Sequence, residues 1–279
     1  MSRRDRPRPL GDSPLVSVIL PTRDRPRLLA TALECYRHQT YPRRELIVVD
    51  DGDEHPVDAA AIEALGGRLI RVETGATLGA KLNRAAGEAR GIFCQKMDDD
   101  DWYAPGFLET MVSAVRVSQP EVCRPTLAFL KPFLFFDLAR WEIRRSGESD
   151  ASGATLFFAR EDWQERPFRR VRGDEDLWFF LDQIRLGTTI LPVEAPENYL
   201  AVRHRGGTGN RGHTWTRHHS GRSMDQDLLD RQLYPGGPEG LLPNWALAFY
   251  RHFRDEMLGG ISPAGPADPV SAREPPRAG

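Results

Sequence analysis

The chain has 279 residues, with 38 Lys and Arg against 40 Asp and Glu, and a formal net charge of −2. This length can bury one large core, or one core with an appendage. The near-neutral charge argues against a nucleic-acid-binding protein. The three cysteines, Cys35, Cys94 and Cys123, are widely spaced. They indicate a reducing compartment rather than a disulfide framework, and we expect all three to be buried.

Both ends of the chain are poor in core-forming residues. Residues 1–13 are rich in Arg and Pro and lack the apolar centre of a signal peptide, and residues 259–279 are rich in Pro, Gly and Ala. We therefore expect a disordered leader and a disordered tail. No apolar run reaches the roughly 20 residues that cross a bilayer. The sequence predicts a soluble, cytoplasmic protein without an integral membrane segment, and leaves peripheral membrane contact open.

The first half of the chain predicts alternating strands and helices. Short β-branched runs indicate buried strands, and an apolar period near 3.6 residues between them indicates helices. The predicted strands are Leu15–Leu20, Glu45–Val49, Arg68–Val72 and Ile92–Met97, and the helices are Pro26–His38 and Leu78–Arg90. This order predicts an α/β fold, an open and mostly parallel mixed sheet flanked by helices, with ligands at the carboxyl ends of the strands.

The second half of the chain changes character. After a helix at Gly106–Ser118, the aromatic segments Leu127–Leu138 and Ala154–Ala159 predict mixed or antiparallel additions to the sheet. The remaining predicted elements are a helix at Glu175–Leu186, strands at Thr188–Val193 and Asn198–Arg203, and a helix at Asn244–Met257. We place one domain over residues 14–215, with halves 14–118 and 119–215, followed by a helical extension over residues 216–258.

Four consecutive carboxylates, Asp98 to Asp101, follow the predicted strand at Ile92–Met97. Like charges this close raise one another's pKa values, and packing them against a buried strand requires a compensating partner. Mg²⁺ or Mn²⁺ would supply one, because these ions prefer oxygen ligands and keep positions open for water and phosphate. Taken alone, the run is equally compatible with a solvated acidic loop or with capping of the helix that begins near Pro105.

Three segments in order carry a resemblance to a known family. They are VSVILPTRDRPRLLATALECYRHQTYPRRELIVVDDG, TLGAKLNRAAGEARGIFCQKMDDDDWYAPGFL and RGDEDLWFFLDQIRLG. Together they resemble the family 2 glycosyltransferases of the GT-A fold, over roughly Val16 to Gly187. The resemblance implies a metal-dependent, inverting transfer of a sugar from a nucleoside diphosphate sugar, most simply a UDP-sugar, to a hydroxyl acceptor. Residues 14–118 would then be the nucleotide-binding half and 119–215 the acceptor half.

The resemblance also implies a set of donor-binding residues. In the family, the loop after the first strand and the acidic end of the second strand hold the nucleoside, and a basic residue on the next helix reaches the diphosphate. The nucleotide-sugar-binding residues implied here are Pro21, Thr22, Arg23, Asp24, Asp50, Asp51, Lys81, Asn83, Asp98 and Asp99. Ordinary turn chemistry at the strand ends and a solvated helix lysine are the alternatives for these positions.

A metal site is implied in the same way. Asp100 is the implied direct ligand of Mn²⁺ or Mg²⁺, and Asp98 contacts the ribose or the metal. A loop rich in Gly, Arg and His would close over the diphosphate, with His204 and His213 as candidate further ligands. A plain surface loop is the alternative for each of these histidines.

The acidic cluster Asp174, Glu175 and Asp176 supplies candidates for the base that deprotonates the acceptor. Asp174 aligns best with the family's catalytic carboxylate, although the usual Gly-Glu-Asp is replaced here by Gly-Asp-Glu-Asp. Such a base would make the reaction a single displacement with inversion. Charges that complement a helix dipole are the alternative interpretation.

Other protein classes lack their sequence signatures. There is no GxxxxGK[ST] motif, the GxGxxG match at Gly207–Gly212 opens no predicted helix, and the acidic run lacks the alternation of an EF-hand loop. A sugar nucleotidyltransferase would carry a glycine-rich loop where this chain has Pro21, Thr22 and Arg23. A non-catalytic module that binds nucleotide-sugars or glycans stays open. The acceptor, whether a saccharide in polysaccharide biosynthesis, a lipid-linked glycan or another metabolite, is not encoded in any motif.

Overall fold

The computed structural model describes residues 8–9, 11, 13–118, 122–123, 126–148, 150–204 and 228–259. The predicted leader and tail lie almost entirely outside these ranges. The part of the Gly, Arg and His-rich loop that contains His213 also lies outside them.

The described residues form thirteen strands and seven α-helices. In chain order the strands are β1 (Arg8–Pro9), β2 (Val16–Thr22), β3 (Arg44–Asp50), β4 (Arg68–Arg71), β5 (Phe93–Lys96), β6 (Trp102–Tyr103), β7 (Val122–Cys123), β8 (Thr126–Leu130), β9 (Leu134–Asp137), β10 (Glu142–Arg145), β11 (Phe157–Ala159), β12 (Thr189–Val193) and β13 (Tyr199–Arg203). The helices are α1 (Pro26–Arg37), α2 (Ala59–Glu63), α3 (Leu78–Glu88), α4 (Phe107–Ser118), α5 (Arg160–Glu165), α6 (Glu175–Arg185) and α7 (Asn244–Gly259). Of these helices, none is long and apolar enough to cross a membrane.

A seven-stranded sheet in the order β12-β8-β11-β5-β2-β3-β4 forms the centre of the molecule. The pairs β5-β2, β2-β3, β3-β4 and β12-β8 are parallel, whereas β11 pairs antiparallel with both of its neighbours. The α/β class, the mostly parallel sheet and the strands and helices predicted up to Met97 are confirmed. Because β2, β3 and β5 run the same way, their carboxyl ends lie side by side at one edge.

Two apolar layers pack on the two faces of this sheet. Side chains alternate along β2, so Val18 and Leu20 belong to one buried cluster with residues of α1 and α4. Ile19 belongs to a second cluster with Leu82 of α3 and Phe179 of α6. The period of two in the strands and the amphipathic helices therefore build both layers.

The later strands differ in part from the predicted additions to the sheet. Strands β8 and β12 do extend the main sheet, but β9 and β13 join a separate four-stranded sheet in the order β10-β9-β13-β6. Pro132 interrupts the apolar segment Leu127–Leu138, and a proline has no N–H to continue a ladder. The short elements β6, β10, α2 and α5 escaped prediction because so few residues carry no readable period.

The predicted C-terminal extension contains α7, which packs back on the domain. The ring of Trp245 stacks on His38, the residue after α1, with centroids 5.2 Å apart, and Glu256 forms an ion pair with Arg27. Buried Tyr250 and Phe253 join the larger apolar cluster. The expected burial of Cys35 and Cys94 is confirmed, whereas the side chain of Cys123 lies outside the described part.

Glu45, at the start of β3, organises the edge of the sheet opposite the acidic run. Its carboxylate accepts hydrogen bonds from Ser17 Oγ at 2.6 Å and from the backbone N and the Nε of Arg90 at 2.7 and 2.8 Å. Arg68 Nη2 lies 3.1 Å away. Burial alone would raise the pKa of Glu45, but these hydrogen bonds lower it below its ordinary value.

We expect Glu45→Gln to destabilise the protein by about 2 kcal/mol, because its amide N–H₂ would face donors that now find an acceptor. Urea denaturation at neutral pH measures this loss, with Glu54→Gln, an exposed residue, as the control. The folded-state pKa is depressed, so the stabilisation is present above the unfolded pKa of about 4.3 and is lost as the pH falls through the folded value. A difference between the two proteins that does not shrink in acid would contradict this account.

Candidate active site

The ends of three parallel strands bring distant segments together at the carboxyl edge of the main sheet. Thr22, the last residue of β2, pairs with Asp50, the last residue of β3, and Lys96 ends β5 on the other side of β2. The loops that follow these strands therefore share one edge. This is where open α/β sheets bind ligands.

A buried ion pair joins the first two of these loops. Lys81, on α3, places its Nζ 2.6 Å from Asp51 Oδ1 and donates to the carbonyl oxygen of Thr22 at 3.0 Å. Lys81 and Asp51 are both buried, so each charge depends on the other for compensation. The predicted site residues Lys81, Asp51 and Thr22 thus occupy one cluster.

Asp50 and Asp24 shape the outer part of this cluster. Asp50 accepts from Arg71 Nη1 at 2.6 Å and from the backbone N of Gly52 at 2.9 Å. Asp24, with a φ of 50°, accepts from the backbone N of Glu54 and His55 at 2.9 and 3.0 Å. A Cβ at Gly52 would lie 2.6 Å from Asp24 Oδ1, so glycine is required there for the two loops to approach. The rim is built from hydrogen-bonded turns.

Arg25 neutralises the middle of the acidic run. Its Nη1 donates to Asp99 Oδ1 at 2.9 Å and to Asp100 Oδ2 at 3.0 Å, and Thr22 Oγ1 donates to Asp99 Oδ2 at 2.7 Å. Burial would lower the pKa of Arg25, but the carboxylates of Asp99 and Asp100 raise it above its ordinary value. The protein therefore supplies a cation of its own at these two acids.

Lys96 neutralises the first acid of the run. This lysine is fully buried, and its Nζ lies 2.7 Å from Asp98 Oδ1 and 3.2 Å from Asp176 Oδ2. Burial raises the pKa of Asp98 to about 6, with Lys96 opposing the shift and Asp176 and Asp100 adding to it. Asp98 and the first turn of α6 are thereby held on one ammonium group.

Asp101 anchors the end of the run to the second sheet. Its carboxylate accepts from the hydroxyl of Tyr199 and from the backbone N of Val202 at 2.9 Å, both on β13. Burial raises the pKa of Asp101 well above its ordinary value. Because β13 ends next to His204, this anchor brings His204 Nε2 to 3.7 Å from Asp100 Oδ2.

Asp100 and His204 are the two candidate ligands of Mg²⁺ or Mn²⁺ that the structure brings together. In the described ranges, no group of three or more His, Cys, Asp or Glu residues is arranged to hold a metal ion. These ions need no such cage, since one or two protein ligands with water and substrate phosphates complete their coordination. Both side chains are buried beside the acidic run, and they fit a metal that a bound diphosphate would complete.

The three acids before α6 differ in their surroundings. Asp174 is exposed, with a φ of 58° and no side-chain capping bond. Glu175 is buried, and burial together with Asp176 raises its pKa to about 7. Asp176 is the member in contact with Lys96, and its Oδ1 is buried and accepts no hydrogen bond from the described residues.

Of the residues implied by the resemblance, Asn83 lies apart from this cluster and Arg23 lies at its exposed rim. The amide of Asn83 bonds to both the carbonyl oxygen and the backbone N of Phe168, at 2.8 and 2.9 Å, and accepts from Trp163 Nε1 at 2.8 Å. Asn83 is thereby committed to holding the loop before α6. Arg23 is half exposed, with its Nη1 3.9 Å from Asp51 Oδ2.

Sequence reasoning missed several members of the site. Lys96 carried a readable signal, because a charged residue inside the buried run Phe93–Met97 needs a partner. The signals for Arg25 and Arg71 were weaker. Arg25 is only a second arginine after β2, and Arg71 is only an arginine at the end of β4. Tyr199 carried none, since its hydroxyl meets Asp101 only through pairing of the second sheet.

Comparison with known proteins gives a consistent result. The model of the family described as "Glycosyl transferase family 2" matches residues 17–156, about half of the chain. The putative glycosyltransferase EpsH of Bacillus subtilis (strain 168) is 32% identical over 104 residues, which cover 36% of this chain and 30% of that protein. The uncharacterized glycosyltransferase YwdF of the same organism is 30% identical over 104 residues, covering 37% and 39%. The chain thus spans about a third of the length of these curated relatives.

Solved structures with the same fold come from S. aureus TarS. TarS 1–349 in complex with UDP-GlcNAc is 17% identical, with a TM-score of 0.53, and the match covers 70% of this chain and 60% of that chain. TarS 1–349 in complex with UDP is 17% identical with a TM-score of 0.51, covering 68% and 61%. At this identity the likeness establishes the fold, which is the GT-A type predicted from the sequence.

We expect Lys81→Met to destabilise the protein by about 3 kcal/mol, because Asp51 would keep a buried charge without its cation. Urea denaturation measures the loss. Arg84→Met on the same helix removes only an exposed pair with Glu88, and should cost less than about 0.5 kcal/mol. The double variant Lys81→Met/Asp51→Asn should recover part of the loss, and strict additivity of the two substitutions would show that the pair is not coupled.

Proposed function

Because the chain belongs to glycosyl transferase family 2, we propose that it transfers a sugar from a nucleoside diphosphate sugar to a hydroxyl group of an acceptor. The observation that carries the proposal is the convergence of the ends of β2, β3 and β5 with the first turn of α6. Donor-binding and base candidates meet there through Lys96. The TarS complexes with UDP and UDP-GlcNAc, which share the fold, support UDP as the nucleotide.

The nucleoside would bind at the ends of β2 and β3. Asp50 and Asp51 offer carboxylate oxygens that accept from the N3–H of uracil or from ribose hydroxyls, and Arg71 and Lys81 hold these acids in place. Thr22 and Arg23 would line the rim. The half-exposed guanidinium of Arg23 is free to turn toward a phosphate oxygen without breaking a short contact.

The diphosphate would lie over the acidic run. Asp100 and His204 would hold Mn²⁺ or Mg²⁺, with Asp98 facing the ribose or the metal, and such an ion supplies charge neutralisation of the departing diphosphate. Arg25 is already bonded to Asp100, so its guanidinium would exchange part of that contact for a phosphate oxygen. Lys81, Arg23 and Arg25 therefore provide the protein's own positive charge around the leaving group.

Asp176 would be the base, in place of the Asp174 implied by the resemblance. Asp176 is the acid linked to Asp98 through Lys96, whereas Asp174 is exposed, has a left-handed backbone conformation and makes no side-chain capping bond. The acceptor oxygen forms a bond to the anomeric carbon while the bond from that carbon to the phosphate oxygen breaks. The proton goes to Asp176 and the electron pair leaves with the diphosphate. Attack opposite the leaving group inverts the anomeric centre.

Nucleotide binding tests the donor site. We expect UDP, rather than GDP or dTDP, to bind the purified protein with manganese and to bind at least tenfold more weakly with EDTA. Asp100→Ala should remove the manganese dependence, whereas Asp255→Ala, an exposed residue on α7, should leave it intact. Calorimetric titration measures all these affinities. Failure of all three nucleotides to bind would refute the proposed donor site.

Exchange of the acids before α6 tests the base. Asp176→Asn should lower the release of UDP from UDP-sugars by a factor of about 10² to 10⁴ while sparing UDP affinity, since a general base contributes about that much. Asp174→Asn should change the rate by less than about threefold, as an exposed carboxylate outside the contact network contributes little. The opposite ranking would return the role to Asp174. Tight UDP-sugar binding without turnover in the unmodified protein would instead favour a non-catalytic binding module.

A further inference from the structure

Burying the ammonium group of Lys96 costs free energy, and the packing around it does not explain why a lysine is there. It ends β5, where Phe93, Cys94 and Met97 around it are fully buried and apolar. An ammonium group in such surroundings loses its hydration, and an apolar residue of similar volume would fill the space at a lower cost in free energy. What a lysine adds is a cation that two carboxylates from segments far apart in the chain can share.

The two contacts of Lys96 differ in what they connect. Asp98 opens the acidic run at the donor edge, and Asp176 lies in the first turn of α6. Asp176 uses Oδ2 for Lys96, while its Oδ1 is buried and accepts no hydrogen bond from the described residues. The side chain as a whole keeps 24% of its surface exposed. One oxygen of Asp176 is therefore fixed by Lys96, and the carboxylate as a whole is partly accessible.

Gly153 makes the approach of Asp176 sterically feasible. A Cβ at this position would lie 2.0 Å from Asp176 Oδ2 and 2.4 Å from its Cγ. The φ of Gly153 is not in the left-handed region, so the backbone conformation does not demand a glycine. The close contact with the carboxylate does demand one, and Gly153 forms the wall against which Asp176 rests.

We propose that Lys96 and Gly153 are positioning residues that set the place of Asp176 relative to the donor edge. Lys96 contacts Oδ2, and the absence of a side chain at Gly153 leaves the space that this oxygen occupies. The inference rests on the proposed role of Asp176 as the base. It adds that the distance between base and donor is set through Asp98, Lys96 and Asp176 by direct contacts.

Gly153→Ala tests the proposal without removing a charge. Its matched control is Gly106→Ala, because a Cβ at Gly106 meets no heavy atom within 4 Å. The readouts are the crystal structure, UDP affinity by calorimetry with manganese, and UDP release from UDP-GlcNAc or from the UDP-sugar that turns over fastest. We expect Asp176 to be displaced from Lys96 by at least about 1 Å, kcat to fall by about 10- to 100-fold, and UDP affinity to stay within about twofold. Gly106→Ala should match the unmodified protein.

Lys96→Met provides a second, independent arm. It should lower kcat as Gly153→Ala does, and thermal melting establishes that the variant is folded. Three results for Gly153→Ala would overturn the inference, even if Lys96→Met fails to fold. They are an Asp176 that is displaced while kcat is unchanged, an Asp176 that has not moved, and losses of equal size in kcat and UDP affinity. The two hypotheses fail separately. Asp176→Asn with full activity refutes the base, whereas an inactive Asp176→Asn beside a fully active Gly153→Ala refutes only the positioning.

Discussion

Compensation of buried negative charge is the constraint on which the carboxyl edge of the sheet depends. Asp99 to Asp101 are buried and Asp98 is partly buried at the end of β5, where uncompensated carboxylates would cost several kcal/mol each. Lys96 and Arg25 supply the cations, and Tyr199 with the backbone of β13 supplies hydrogen bonds to the last acid. The compensation comes from three separate parts of the chain. Each partner therefore also determines the position of a segment.

The same contacts connect the fold to the proposed chemistry. Arg25 follows β2, Lys96 ends β5 and Asp101 reaches β13, so the acidic run is the point at which the two sheets and the loop after β2 are joined. A diphosphate that entered here would meet cations already held in place by carboxylates. Preorganised charge of this kind requires little reorganisation when a leaving group develops its own charge. Stability and catalysis then draw on the same interactions.

The two opposite edges of the main sheet differ because its central strands run in the same direction. Parallel strands place all their carboxyl ends on one side of the sheet. Thr22, Asp50 and Lys96 therefore lie at the same edge although they are far apart in the sequence. The opposite edge is closed by Glu45 and its hydrogen bonds to Ser17 and Arg90. The carboxylate of Glu45 is thus satisfied by the protein at one end of the sheet, while the other end gathers the acids of the candidate site.

Elements with a long apolar period were predictable, because the period alone decides which face is buried. Strands β2 to β5 and helices α1, α3, α4 and α6 were found within one or two residues of their observed bounds. Arg71, Asn83 and Asp176 show where such reasoning ends. Whether Asn83 faces a nucleotide or the backbone of Phe168 depends on which loop packs against α3, and no local pattern records that choice.

The sequence by itself determined the α/β class, the family and the segments that carry the acids, because these depend on periodicity and on the order of motifs. Tertiary structure decided which acids are buried and what each of them contacts. Asp174 and Asp176 are two residues apart and chemically alike, yet one is exposed and the other shares Lys96 with Asp98. That difference arises from the helical turn that directs successive side chains to different faces and from the glycine at position 153 that admits one of them.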